Sequence, residues 1–195
     1  MSTVITKSYD APEISEKEIL RYAGAMEADE ALLSLTRECI NDARGVLSYK
    51  VCFYVAPLSI SEDKCDFSYF SVNSKNLAKN LMGCDSVIIF AATVGIGIDR
   101  LIHKYSKLSP AKALIFQSIG TERIEALCDI FTEDIKSLGK DIRNRFSAGY
   151  GDLPLETQKE IFKLLSPQKN IGLTLGDSLL MSPTKSVTAF IGIEK

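Results

Sequence analysis

Arg145-Phe-Ser-Ala-Gly149-Tyr150-Gly-Asp-Leu-Pro154 (RFSAGYGDLP) separates two helical patterns and is too rich in Gly and Pro to be helix or strand itself. Ahead of it, Ser109-Pro110 gives an N-cap followed by proline at the first helical position, where its missing N–H costs nothing. The helix predicted from there runs to about Leu138, with Gly139 beyond it and Ile124, Leu127, Cys128, Phe131 and Ile135 as its buried stripe. Behind it, Leu155 to Leu165 is a short amphipathic helix stopped by Pro167. A loop held between rigid elements carries function more often than the elements it joins. Arg145 offers a planar fork of donors suited to a carboxylate or phosphate. Gly149 lets backbone approach a ligand closely, and Tyr150 supplies a flat face with a polar tip. The same ten residues also suit a plain surface turn with an incidental arginine.

Further out, the elements are mixed. The first thirteen residues read as a loose arm. Ser15 caps a short helix, with Glu18 completing a capping box and Gly24 closing it, and a longer helix spans about Ala28 to Ala43. Val51, Phe53 and Val55 alternate within a strand from Tyr49 to Ile60. Asp66 to Val72 is a second strand, joined to the first as an irregular hairpin around Pro57 and SEDKCD. Ser74 to Leu81 is a short helix, Asp85 to Thr93 a buried strand, and Gly97 to Lys107 a helix. The tail gives two extended segments around Ser182–Lys185, the last from Val187 to Ile193. With no regular βαβ alternation, the pattern predicts an α+β fold: a largely antiparallel central sheet flanked by helices.

The 195 residues carry 23 basic and 25 acidic side chains, a net charge near −2, without a basic tail. That balance argues against a nucleic-acid partner. No apolar run nears the roughly 20 residues a membrane helix needs, and the N-terminus lacks a signal-peptide pattern. The five cysteines, free of CxxC spacing, read as reduced thiols of a cytoplasmic protein, with Cys39 and Cys128 as small core residues on helices. With one histidine and scattered thiols, no metal site is expected.

Three smaller signals bear on function. Thr93-Val-Gly95-Ile-Gly97-Ile-Asp99-Arg100 fits either a dinucleotide fingerprint or a tight strand-to-helix turn, and Arg100 stands where the third glycine would be. Glu125 lies one step from the buried stripe, so it either reaches out to water or faces a pocket. His103, between Ile102 and Lys104, has no nucleophile or carboxylate arrangement to recruit it as a base, and no catalytic residue is assigned.

The run from Arg145 to Ile193 resembles the C-terminal activation domain of cobalamin-dependent methionine synthase. That family carries an R-x-x-P-G-Y-x-x-x-P loop, a helix ending in Leu-Leu, and a G-x-x-L-T-E-S-x-x-M-x-P-x-x-S-V-S run. Here the loop is followed by Ile161-Phe-Lys-Leu-Leu165 and by Gly172-Leu-Thr-Leu-Gly-Asp177-Ser178-Leu-Leu-Met181-Ser-Pro183-Thr-Lys-Ser186-Val187-Thr188. The long helix is similar to the family helix with an Ala-Glu-Ala-type segment, which places Glu125 at the family's ligand-facing glutamate. The first hundred residues match loosely and look like the free-standing versions of the domain. Departures are Ala148 for proline, Gly176 for threonine and Asp177 for glutamate. Among the residues up to Lys195, counterparts of the family's ligand-touching C-terminal tyrosines are not expected.

The resemblance implies one activation-like domain over residues 1–195: the arm to residue 13, N-terminal helices over 14–47, then a sheet and ligand-binding core over 48–195. It implies S-adenosylmethionine as ligand, bound by Arg145, Glu125, Ala148, Gly149 and Tyr150 converging on one cavity. Arg145 would take the carboxylate or hold neighbouring carbonyls in place, Glu125 would take the ammonium or ribose hydroxyls, and the backbone at Ala148 and Gly149 the adenine edge, with Tyr150 packed against the ligand. It also implies cobalamin supplied by a partner, a methionine synthase or related corrinoid protein, and a flavodoxin- or ferredoxin-like electron donor. Two alternatives stay open: a docking protein that has lost the ligand, and a methyltransferase acting on something other than cobalt.

Overall fold

The computed structural model describes residues 3–25 and 27–194; residues 1, 2, 26 and 195 lie outside the described residues. In chain order the elements are β1 (Ile5–Tyr9), α1 (Glu16–Tyr22), α2 (Glu30–Arg44), β2 (Tyr49–Pro57), β3 (Ser59–Ser61), β4 (Lys64–Asp66), β5 (Ser71–Asn73) and α3 (Lys75–Asn80). They continue as β6 (Cys84–Thr93), α4 (Gly97–Leu108), α5 (Pro110–Lys136), β7 (Phe146–Ser147), α6 (Thr157–Leu165), α7 (Pro167–Ile171), β8 (Thr174–Leu175), β9 (Met181–Ser182) and β10 (Ser186–Glu194). The central sheet has the order β1-β2-β6-β10-β7, with every neighbouring pair antiparallel. The α+β architecture expected from the pattern is therefore present.

Strand alternation divides the core in two. Val51, Phe53, Ile88, Phe90, Ala92, Ala189, Ile191 and Ile193 point to one face, where α1, α2, α4 and α5 cover them. Cys52, Tyr54, Ala56, Val87, Ile89, Ala91 and Phe190 point to the other, under α3, α6, α7 and the small β3-β4-β5 sheet. Burial on both faces is why β6 and β10 read as nearly continuous apolar runs.

Three expectations are corrected. Ile5–Tyr9, read as part of a loose arm, is an edge strand paired with β2 from Ile5↔Phe53 to Tyr9↔Tyr49. It is pinned further by Lys7 Nζ and Tyr9 Oη, which donate to Asp134 at 2.6 and 2.7 Å. These bonds hold the Asp134 carboxyl below its usual range. The expected strand over Asp66–Val72 is split: Asp66 accepts from the Ser68 N–H at 2.8 Å, an Asx turn, and Ser68 sits at φ 68°. Its halves, β4 and β5, pair with each other and β3, while β2 pairs with β1 and β6. The capping box at Ser15 is half formed. Its hydroxyl accepts from the Glu18 N–H at 3.3 Å, but its own N–H donates to Glu122 Oε1 at 3.2 Å. α6 ends at Leu165 as expected, and Pro167 opens the short α7 after Ser166 turns the chain at φ 45°.

The Gly95–Gly97 segment is the tight turn of the two readings. Gly95 has φ 84°, and a Cβ on Gly97 would lie 2.1 Å from the Val46 carbonyl oxygen. The glycine is thus required by backbone packing. Gly97→Ala is expected to cost about 1–3 kcal/mol through overpacking; an unchanged melting temperature would contradict that packing.

Cys39, Cys52, Cys65 and Cys128 are buried free thiols and Cys84 is partly exposed. Burial pushes Cys52 and Cys128 up to about 12, and Cys39 and Cys65 up to about 11. These four stay protonated and inert near neutral pH. His103 is exposed on α4.

Candidate functional site

The site residues gather along the sheet edge formed by 142–147 and the helix beside it. On α5, the apolar stripe faces the sheet, and a second stripe of Glu122, Glu125, Asp129, Glu133 and Lys136, three or four residues apart, runs along its flank. Glu122, Glu125 and Asp129 line a groove of about 310 Å3 with Ser15, Glu18 and Tyr22. Asp129, Glu133 and Lys136 line another, about 440 Å3, with Arg143, Asn144 and Arg145. Glu125 therefore faces a concavity.

Arg145 reaches α5 because the edge is bulged. Ile142 bridges to Ile193 and Phe146 pairs with Phe190, so four steps along the edge (142 to 146) oppose three on β10 (193 to 190). Strict alternation from Ile142, which packs on the α5 face, would send Arg145 away from α5 and Phe146 toward it. The extra residue resets the phase, and Phe146 enters the opposite core. Arg145 Nη2 then donates to Glu125 Oε2 at 3.2 Å and Asp129 Oδ1 at 3.0 Å. Burial acts to lower the guanidinium pKa, but Cys128 and the Glu125 and Asp129 carboxylates outweigh it and hold the pKa above its usual value. Since the Cys128 thiol is neutral at pH 7, the carboxylates supply the charge.

Tyr150 lies on the other side. Its ring meets Phe146 edge-on, centroids 5.4 Å apart, and it is 68% exposed. It lines a groove of about 790 Å3 with Asn76, Lys79, Asn80, Met82, Arg143, Asn144 and Phe146. The expected convergence is thus altered. Arg145 and Glu125 touch, whereas Tyr150 faces a separate groove across the edge strand. The Arg145 and Tyr150 grooves share Arg143 and Asn144. A ligand touching all three residues must lie along the sheet edge, in volumes within the usual range for small-molecule sites.

The Gly149 turn also differs from the expectation. At φ 83°, Gly149 donates its N–H to the Leu153 carbonyl at 2.9 Å, so that group is engaged within the loop. Ala148 is partly buried against the α6-side core. Sequence reasoning passed over Asp129, Arg143 and Asn144. For Asp129 a signal existed, its position four residues after Glu125 on the same flank. A separate, more apolar cleft, with Ile60, Ala78, Met82 and Cys84, lies between α3 and the small sheet. Among the described residues no helix is long and apolar enough to cross a membrane, and no cluster of three His, Cys, Asp or Glu could hold a metal ion.

No curated protein matches the sequence. The fold is similar to the crystal structure of the MetH reactivation domain bound to AdoHcy, with a TM-score of 0.70 at 14% identity, over 97% of this chain and 78% of that one. The family described as vitamin B12 dependent methionine synthase, activation domain, matches residues 72–195. That span holds Glu125, Asp129, Arg145 and Tyr150, while Ser15, Glu18 and Tyr22 of the Glu125 groove lie before it, and the chain belongs to this activation-domain family.

Proposed function

We propose that this chain is a reactivation module: it binds S-adenosylmethionine along the sheet edge and offers the methyl group to a cobalamin held by a partner. One observation carries the reading. Within the family-matched span, a bulge turns Arg145 toward Glu125 and Asp129, at the meeting of grooves that run on to Tyr150. The donor set suits the ligand. S-adenosylmethionine has one carboxylate and two positive centres, the ammonium and the sulfonium. Arg145 matches the first, and the Glu125 and Asp129 carboxylates match the second pair. Tyr150 offers a ring face for the adenine.

The partner's cobalt, as substrate, takes one electron and one methyl cation, leaving S-adenosylhomocysteine. Holding donor and acceptor together lets methylation follow an unfavourable reduction at once. The residues of this chain bind and orient the donor. The corrinoid partner, a methionine synthase or related protein, would dock over the loop face. A flavodoxin- or ferredoxin-like protein would supply the electron. A cytoplasmic setting with reduced thiols belongs to the same reading. Mixing the chain, a Co(II) corrinoid protein, reductant and S-adenosylmethionine should give the methyl-cobalt absorption spectrum. A Co(II) spectrum that persists under reduction would overturn the proposal.

A second reading, a docking protein that has lost the ligand, is favoured by two features. Arg145 is already neutralised by two carboxylates, and the Gly149 N–H is already bonded. It expects corrinoid docking without S-adenosylmethionine affinity.

A further inference from the structure

Asp152 belongs to the Arg145–Pro154 loop but has no place in the site described above, and its carboxylate is tied to an element remote in sequence. Oδ1 accepts from the Ser74 hydroxyl at 2.5 Å, Oδ2 from the Lys75 N–H at 2.8 Å, and Oδ1 again from the Asn76 N–H at 3.2 Å. Ser74 Oγ in turn accepts from the Leu77 N–H at 3.0 Å. The first three amides of α3 are thereby satisfied by two side chains, one of them delivered by the loop. The loop is closed on itself above this anchor. Tyr150 donates its N–H to Ser147, and Leu153 donates to Tyr150, at 3.2 and 3.1 Å. Gly151, at φ 59°, lies so close to α3 that a Cβ there would sit 2.5 Å from Asn76 Nδ2. The wall carrying Tyr150 and the wall carrying Asn76, Lys79 and Asn80 face each other across one groove.

We propose that Asp152 is a positioning residue for the edge site: by capping α3 it fixes the Gly149–Tyr150 turn, and so sets the width of the groove between Tyr150 and α3. This rests on the adenosyl-ligand reading above. The bond from Ser74, opposed by desolvation and aided by the Asn76 and Lys75 amides, holds the Asp152 carboxyl below its usual range. The tie is therefore present above the ordinary aspartate pKa and is lost as pH falls through the lowered folded value. At neutral pH the anchor is fully charged. Ordering the turn before the ligand arrives removes part of the entropic cost of binding.

The test uses full-length Asp152→Ala and Asp152→Asn, read by hydrogen exchange and by calorimetry with S-adenosylhomocysteine. In Asp152→Ala, amides of 147–154 and 75–77 should exchange faster while α5 and β10 keep their protection. Affinity should fall about tenfold. Asp152→Asn keeps one acceptor oxygen but turns an NH2 donor toward the other donor groups, and should recover only part of both. Adding Tyr150→Ala to Asp152→Ala should weaken binding no further than Tyr150→Ala alone, because both act through the same ring. Full affinity in Asp152→Ala, or additive losses in the double variant, would overturn the assignment. If the unaltered protein binds no S-adenosylhomocysteine, the ligand reading fails, and exchange alone decides the anchor: unchanged protection at 147–154 would overturn it.

Discussion

Replacing Arg123 with Ala should lower folding stability by about 3–5 kcal/mol, the cost of removing one partner from a buried ion pair. Arg123 is the largest fully buried side chain among the described residues. It pairs with the buried Glu122 carboxylate through both Nε and Nη2. Nη1 and Nη2 also donate to the Pro12 and Glu13 carbonyls, each at 2.6 Å. The truncation strands a carboxylate in the core, leaves two carbonyls without their donors, and opens a cavity. It also releases the segment that carries the chain from β1 into α1. Urea denaturation checks the magnitude, and a loss below about 1 kcal/mol would show the pair to be ornamental. Glu122→Gln combined with Arg123→Met should recover part of the loss, since no unpaired charge is then buried.

The second large effect concerns the ligand. Arg145→Ala should weaken S-adenosylmethionine binding about 10- to 100-fold, the worth of hydrogen bonds to a charged group. Folding should change by less than about 1 kcal/mol, because the Asp129 carboxylate is 70% exposed and such pairs contribute little. The two readouts are therefore separable. Arg145→Lys keeps the charge but not the planar fork, and should restore only part of the affinity. Calorimetry beside a melting curve measures both. Unchanged affinity with unchanged stability would make Arg145 a bystander and favour the docking reading.

Some of this was legible in the chain and some was not, for identifiable reasons. β6 and β10 announce themselves through runs such as Val87–Phe90, since both faces of the central sheet are buried. α5 was legible from Ser109-Pro110 and its apolar spacing. β1 was not: Ile5–Tyr9 is a half-exposed edge whose polar residues look like an arm until Lys7 and Tyr9 meet Asp134, 127 and 125 residues away. Arg123 was passed over because burial of a guanidinium depends on carbonyls of Pro12 and Glu13, which local pattern cannot supply.

The candidate site divides the same way. The Arg145 loop stood out by composition, and the family resemblance pointed to Glu125. Which side of the sheet each residue occupies depends on a single extra residue between Ile142 and Phe146, a feature of pairing with β10. One residue of register flips every side chain beyond it. The extra residue sets which of the neighbours Arg145 and Phe146 faces α5; their opposition comes from strand alternation, so Arg145 and the Tyr150 that packs on Phe146, expected in one cavity, flank the edge strand.

On the proposed reading, an adenosyl ligand lies along the edge between α5 and the Tyr150 loop. The most direct measurement is an NMR titration with S-adenosylhomocysteine, following backbone amide shifts. Saturable changes are expected, confined to 142–150 and the 122–133 flank of α5 and moving together with one dissociation constant. Absence of any shift, or shifts only around the Ile60–Cys84 cleft, would contradict it.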